Sequence, residues 1–364
     1  MKDDFYHIEE HFHAQDRKGH RKDRKNAQVK DRSKYKKSDQ DQIKKRLLSS
    51  SQREELPRGR VLSVRPEGVF VEREGKTCIC QLRGSLKQDK NLLKNLIAVG
   101  DFVRFSEDGT IALVEERKSV LSRADNLSQR KQQLIAVNID QVLITMSVIQ
   151  PTLKPSLIDR YIIATLKGGM QPILLINKID LLDAQTPEAK AEKLLFNQVV
   201  ATYEKLKIPL FSISTFKNVG IEELKASMRG RSSVFSGQSG VGKSSLINAI
   251  LGTSLSTGEV VARTRKGSHT TTSAQLLSIE GGGFCIDTPG IKSFGVWDLT
   301  RDEVRHYFSE ILETSANCRY PDCYHLQEPG CAVKDAVEKG DISSLRFESY
   351  CALMTTLREQ FRSR

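Results

Sequence analysis

Regular alternation of apolar and polar residues begins near residue 58. Before it, residues 1–55 show almost no apolar periodicity, and Lys, Arg, Asp, Gln and Ser dominate. Such a stretch cannot bury enough surface to offset its chain entropy, so a basic disordered tail is expected there. From 58 to 117 the period is two. GRVLSV and VFVERE flank Pro66-Glu67-Gly68, KTCICQL follows, and DFVRF and TIALVEE flank Asp108-Gly109, a hairpin signal. Five short strands in about 60 residues fit a small closed barrel, most simply an OB-fold. Phe70, Phe102 and Phe105 could stack on nucleic acid, but by alternation some must fill the barrel, and the core is the expected role for each. Alternation also makes Cys78 and Cys80 a buried pair on one side of a strand.

From about 120 to 297 the pattern changes to continuous apolar runs, QVLITM, PILLI, VFS and FCI. Between them lie helical stretches such as PSLIDRYIIATLKG and PEAKAEKLLFNQVVATYEKL. Buried strands alternating with helices predict an α/β domain with a mostly parallel sheet. After Asp298 the chain turns helical, with Thr300-x-x-Glu303 as a capping box and a terminal helix from about Ile342. The expected organisation is multidomain: a tail at 1–55, an OB-fold at 56–118, an α/β domain at 119–297 and a mainly helical segment at 298–364.

Charge narrows the function classes. A formal net charge of +12 favours polyanionic partners, above all nucleic acid. No apolar run approaches the roughly 18 residues that span a bilayer, and MKDDFYHIEE lacks the apolar core of a secretory signal, so a cytoplasmic protein without membrane contact is expected. Seven cysteines is an odd number. Three of them form Cys318-x4-Cys323-x-His325-x5-Cys331, which places three thiolates and one imidazole within 14 residues. That donor set suits one tetrahedral Zn²⁺, and four ligands leave no open position, so the ion is structural.

The nucleotide chemistry lies in three motifs. Gly237-Gln238-Ser239-Gly240-Val241-Gly242-Lys243-Ser244 fits G-x-x-x-x-G-K-[ST] between an apolar strand and the helix-like SSLINAIL. Its backbone amides would close around phosphates, Lys243 would reach the β- and γ-phosphates, Ser244 would ligate Mg²⁺ and Ser245 would add a phosphate contact. Asp287-Thr-Pro-Gly290 follows another apolar strand, placing Asp287 in the Mg²⁺ shell and the Gly290 amide at the γ-phosphate. Asn177-Lys178-Ile179-Asp180 ends the strand PILLI. A carboxylate at Asp180 accepts from the N1–H and N2 amino groups of guanine, whereas adenine would leave it unpaired, so GTP and GDP are expected ligands. Ser212 to Thr215 is assigned loosely as a second loop at the base. Between the first two motifs, Thr271 is the favoured threonine for the Mg²⁺ shell, with Thr270 and Thr272 as neighbours. Ile291 stands where many GTPases carry a water-orienting glutamine, and His269 is the nearest polar substitute in sequence.

The order is unusual: Asn177 lies 60 residues before Gly237, and no second copy follows. The domain reads as circularly permuted. The barrel, NKID, GQSGVGKSS, HTTT, DTPG and C-x4-C-x-H-x5-C in this order closely resemble the YjeQ (RsgA) family of GTPases of ribosome small-subunit biogenesis, over roughly residues 56–364. The resemblance implies an OB-fold, a permuted GTPase domain and a zinc domain. It implies binding to the 30S subunit and its 16S rRNA late in assembly, with GTP hydrolysis stimulated by that subunit, and His269 as a catalytic residue beside Lys243. A monomer is expected. The competing reading is a GTP-gated RNA-binding scaffold whose turnover is dispensable, which Ile291 supports.

Overall fold

The computed structural model describes residues 55–82, 96–125, 128–252, 274–287 and 299–362. The chain divides into two units, Met1–Leu56 and Pro57–Arg364, and every element below belongs to the second.

The first five strands are β1 (Arg58–Arg65), β2 (Gly68–Arg73), β3 (Lys76–Leu82), β4 (Phe102–Phe105) and β5 (Thr110–Val114). They close into a barrel in the order β1-β2-β3-β5-β4, with β3 parallel to β5 and β1 antiparallel to β4, the strand order of an OB-fold. Alternation does the sorting: Val61, Val69, Val71, Val103 and Ile111 fill the interior. Phe105 joins them, but Phe70 and Phe102 sit one register away and are only half-buried. The expectation that all three phenylalanines fill the core is therefore corrected. Guanidinium groups stack on the two outer rings, Arg65 at 4.8 Å from the Phe70 centroid and Arg58 at 3.9 Å from that of Phe102. Cys80 is buried and Cys78 half-buried, with their sulfurs 3.8 Å apart. Burial, ahead of the neighbouring thiol, pushes Cys80 up to about 12.

Two strands not foreseen from the sequence follow, β6 (Val120–Asp125) and β7 (Ser128–Val137), which form a two-stranded sheet of their own, with a parallel bridge from Ala136 to Val99. The main sheet then forms from β8 (Gln141–Ser147), β9 (Gln171–Asn177), β10 (Leu210–Ser212), β11 (Ser232–Ser236), β12 (Gln275–Ser278) and β13 (Phe284–Asp287). Its order is β10-β9-β8-β11-β13-β12, parallel except for β12. Every residue of β8 is buried, because this strand is central and helices cover both faces. Val142, Ile144 and Met146 meet α1 (Pro155–Lys167) and α2 (Pro187–Lys205) on one face, through Ile158, Tyr161, Val199 and Tyr203. Leu143 belongs to the other face, with α3 (Ile221–Met228) and α4 (Lys243–Leu251) supplying Leu224, Met228, Leu246 and Ile250. Strand β8 leads out towards β9 and β11 towards β13, so neighbouring parallel strands have connections that diverge. That divergence opens a crevice at their carboxyl ends, where ligands of open α/β sheets bind.

The C-terminal segment comprises α5 (Arg301–His306), α6 (Ser309–Ser315), α7 (Ala332–Glu338) and α8 (Ser344–Arg362). The predicted capping box is formed: the Glu303 amide donates to Thr300 Oγ1 at 3.2 Å and the Thr300 amide donates to Glu303 Oε2 at 2.7 Å. A separate core of Phe308, Ile311, Val333, Tyr350 and Met354 holds these helices, and Ile163 of α1 joins it.

Candidate functional site

The phosphate loop begins where β11 ends. Gly237 touches β8 so closely that a Cβ there would lie 2.1 Å from the Thr145 carbonyl oxygen. Gly242 has φ +95°, and a Cβ would lie 2.3 Å from Asn177 Nδ2, so only glycine fits. Helix α4 starts directly after it with no side-chain cap, which leaves its first amides available to an anion. Val241 anchors the loop by burial, while Ser239, Gly240 and Ser244 are exposed and Gln238 and Ser245 half-exposed. Lys243 is folded back into the loop, donating to the carbonyls of Gly237 (2.7 Å) and Gln238 (2.6 Å). Burial lowers its pKa. An incoming phosphate would compensate that desolvation better than two carbonyl dipoles do.

The Asn177-Lys178-Ile179-Asp180 motif lies beside this loop. Asn177, 1% exposed, ends β9 and donates from Nδ2 to the Val241 carbonyl at 2.9 Å, which ties the two loops together. Lys178 is left-handed (φ +66°), and its ammonium donates to the Gln150 carbonyl on the loop after β8. Ile179 opens a short 3-10 turn, Ile179–Asp183, and its amide donates to the Ile213 carbonyl at 3.2 Å. Within that turn Asp180 Oδ1 accepts from Ser214 Oγ at 2.5 Å. Ser214 is the residue of the loosely assigned 212–215 segment that matters. Its hydroxyl also accepts from the Lys217 amide at 3.0 Å, and reciprocal amide bonds join Ser214 and Val219. The sequence signal for it was a serine just beyond the next strand, whose side-chain oxygen braces the carboxylate.

Asp287 is the last residue of β13, the strand beside β11, and therefore ends on the phosphate-loop side of the sheet. His269, Thr270, Thr271, Thr272, Gly290 and Ile291 lie outside the described residues, as does the basic tail through residue 54.

The second constellation is in the C-terminal segment. The ligand atoms of Cys318, Cys323, His325 and Cys331 all lie within 4.8 Å of one another. His325 Nδ1 is 3.5 Å from Cys318 Sγ and 3.4 Å from Cys331 Sγ, and those two sulfurs are 4.0 Å apart. Tetrahedral zinc with ordinary bond lengths would need about 3.6 Å between nitrogen and sulfur and about 3.8 Å between sulfurs, so the donor set fits a metal ion. Glu328 shapes the loop by accepting from the amides of Tyr324 (3.1 Å), Leu326 (2.8 Å) and Gln327 (3.0 Å). Burial, aided by the Arg305 cation, lowers His325 to about 4, so its imidazole is neutral and able to ligate at neutral pH.

Comparison with known proteins agrees with this geometry. The family model for the RsgA GTPase matches residues 114–297. The small ribosomal subunit biogenesis GTPase RsgA of Phocaeicola vulgatus is 40% identical over 288 residues, covering 77% of this chain and 90% of that one. Its counterpart in Chlorobaculum parvum is 41% identical over 278 residues, covering 73% and 86%. Among solved structures, YjeQ from Thermotoga maritima aligns with a TM-score of 0.66 at 34% identity, covering 83% of this chain and 98% of that one. YloQ, described as a circularly permuted GTPase, aligns at 0.62 and 26% identity, covering 85% and 97%. With the Gly237–Ser244 loop and the Asn177–Asp180 loop brought together in permuted order, this chain belongs to the RsgA family of GTPases.

Proposed function

We propose that this protein hydrolyses GTP to GDP and phosphate while maturing the small ribosomal subunit, with the 30S particle and its 16S rRNA as partner. The carrying observation is the Asn177–Val241 bond. It holds a guanine-reading carboxylate and a phosphate-binding loop at one crevice, although they lie far apart in sequence. Asp180 accepts from the guanine edge, the amides from Ser239 to Ser244 surround the phosphates, and Lys243 exchanges its carbonyl partners for β- and γ-oxygens. Ser244, Thr271 and Asp287 would hold Mg²⁺, which neutralises charge on the bridging and terminal phosphate oxygens when bound. Water adds to the γ-phosphorus as the bond to the β–γ bridging oxygen breaks, and His269 is the candidate group for that water, with the Gly290 amide at the γ-phosphate. Cys318, Cys323, His325 and Cys331 hold one structural Zn²⁺. Among the described residues no helix is long and apolar enough to cross a membrane; a cytoplasmic, monomeric ribosome factor is part of the same proposal.

The test is GTP turnover by the purified protein alone, with 30S subunits and with 50S subunits. Stimulation by 30S alone is expected. Equal slow rates in all three conditions would favour the GTP-gated RNA-binding scaffold, a reading that Ile291 keeps in play. In that case Lys243→Ala would abolish function while His269→Ala would not.

A further inference from the structure

Phe216 is the most exposed large apolar side chain among the described residues, at 87%. Its position is constrained on both sides. Two residues before it, Ser214 donates to the Asp180 carboxylate at 2.5 Å. One residue after it, Lys217 pairs with Asp183 at 2.7 Å, three residues beyond Asp180. The turn from 214 to 219 is further closed by the reciprocal Ser214–Val219 amide bonds. A rigid turn thus runs alongside the base-reading motif and presents an uncovered aromatic ring at its tip. Two peptide units place the Phe216 Cα at most about 7.6 Å from that of Ser214, within reach of any base whose edge Asp180 holds.

A base read edge-on still exposes both of its faces. Lys178 is fixed beside the motif by its left-handed backbone and its bond to the Gln150 carbonyl, so its methylene stem can cover one face. Resting on the guanine-binding reading above, we propose that Phe216 is the stacking platform for the other face, a nucleotide-contact residue that the motif reading did not include. Stacking explains why a large apolar ring stays uncovered here: its partner is the ligand. It also separates two functions within one loop. Ser214 orients the carboxylate that chooses guanine, and Phe216 supplies contact area that any purine would use.

The experiment is calorimetric titration of the full chain with GDP and with ADP, for wild type, Phe216→Ala and Phe216→Trp. Base–aromatic stacking predicts a Kd for GDP raised about five- to a hundred-fold by Phe216→Ala, with affinity recovered by Phe216→Trp. The ratio of GDP to ADP affinity should be unchanged, because Asp180 still reads the edge. GDP should also alter the emission of the introduced tryptophan. Folding is monitored by thermal denaturation, and the exposed ring predicts no shift. Wild-type binding of GDP with an unaltered Kd in Phe216→Ala would overturn this proposal alone. Absence of GDP binding to the wild type would overturn it together with the reading on which it rests.

Discussion

On the proposed reading, Asp180 concentrates the specificity of the site in one carboxylate. It is half-buried, and one oxygen is already committed to Ser214. Guanine supplies two donors to such a group, whereas xanthine presents a carbonyl at C2 and would meet it with repulsion. In Asp180→Asn an amide NH₂ replaces one acceptor, so GTP affinity should fall by at least about a hundred-fold while xanthosine triphosphate gains. Competition of the two nucleotides against a fluorescent GDP would measure this, and an unchanged preference for GTP would exclude Asp180 as the reader. Ser214→Ala removes a bond to a charged group, about 1.5 kcal/mol or more, and should weaken GDP binding about tenfold. The two residues differed in legibility. Asp180 stands in a motif of fixed spacing, because base reading requires a carboxylate at one place. Ser214 comes from a different strand, and only the pairing of β10 with β9 brings its hydroxyl to that carboxylate.

Among the elements, period and punctuation settled the most. The barrel strands follow directly from alternation and β8, β9, β11 and β13 from continuous apolar runs, while the short edge strands β10 and β12 carry too few apolar residues to stand out; the Asp108-Gly109 turn joins β4 and β5 as its sequence requires. The β6–β7 ribbon escaped notice because it pairs with no other strand and its apolar alternation is weak; nothing in its own sequence demands a sheet. Phe70 and Phe102 were misplaced because residue type was given more weight than register. The capping box at α5 yields a pH prediction. The Thr300 amide, and then Lys167, hold the Glu303 carboxyl below its ordinary range. A folded-state pKa that is depressed contributes stability above the ordinary glutamate range, and this is lost as pH falls through the lower, folded-state value. Glu303→Gln should therefore cost about 0.5 kcal/mol at neutral pH and much less at about pH 3. Denaturation midpoints of wild type and variant at both pH values would show it; an equal difference at both would mean the cap contributes without the carboxylate.

At the scale of the whole molecule, the permuted order decides which parts lie next to one another. Re-cutting the chain leaves the sheet order intact but runs β13 onward into the C-terminal helices, so the segment that carries the Cys318, Cys323, His325 and Cys331 donor set is covalently continuous with the strand that ends at Asp287. It is also fastened elsewhere. Arg346 of α8, 4% exposed at its side chain, donates to Asp159 Oδ1 of α1 at 2.5 Å and to Glu310 Oε1 of α6 at 2.6 Å, while Tyr203 of α2 donates to the same Asp159 oxygen at 2.7 Å. Burial opposes the charge on Arg346, but the two carboxylates outweigh it and raise its pKa. Removing the metal with a chelator should loosen the core around Phe308 and Tyr350, with loss of helical circular dichroism, yet GDP binding should survive because Asp180 and the phosphate loop are packed on other cores. Loss of GDP binding on chelation would mean that the two cores fold as one. The ion network is the structural reason to expect some coupling. Arg346→Met leaves Asp159 buried without its cation and should cost about 3–5 kcal/mol. Asp159→Asn combined with Arg346→Met removes both charges, keeps an acceptor for the buried Tyr203 hydroxyl and should recover much of that loss, because Glu310 is partly exposed and can be hydrated. The double variant therefore separates two roles that the single variant confuses. If it regains stability and keeps 30S-stimulated turnover, the network is a fastener. If it regains stability but loses stimulation, the charges themselves link the C-terminal segment to α1, whose preceding loop accepts a hydrogen bond from Lys178 through the Gln150 carbonyl.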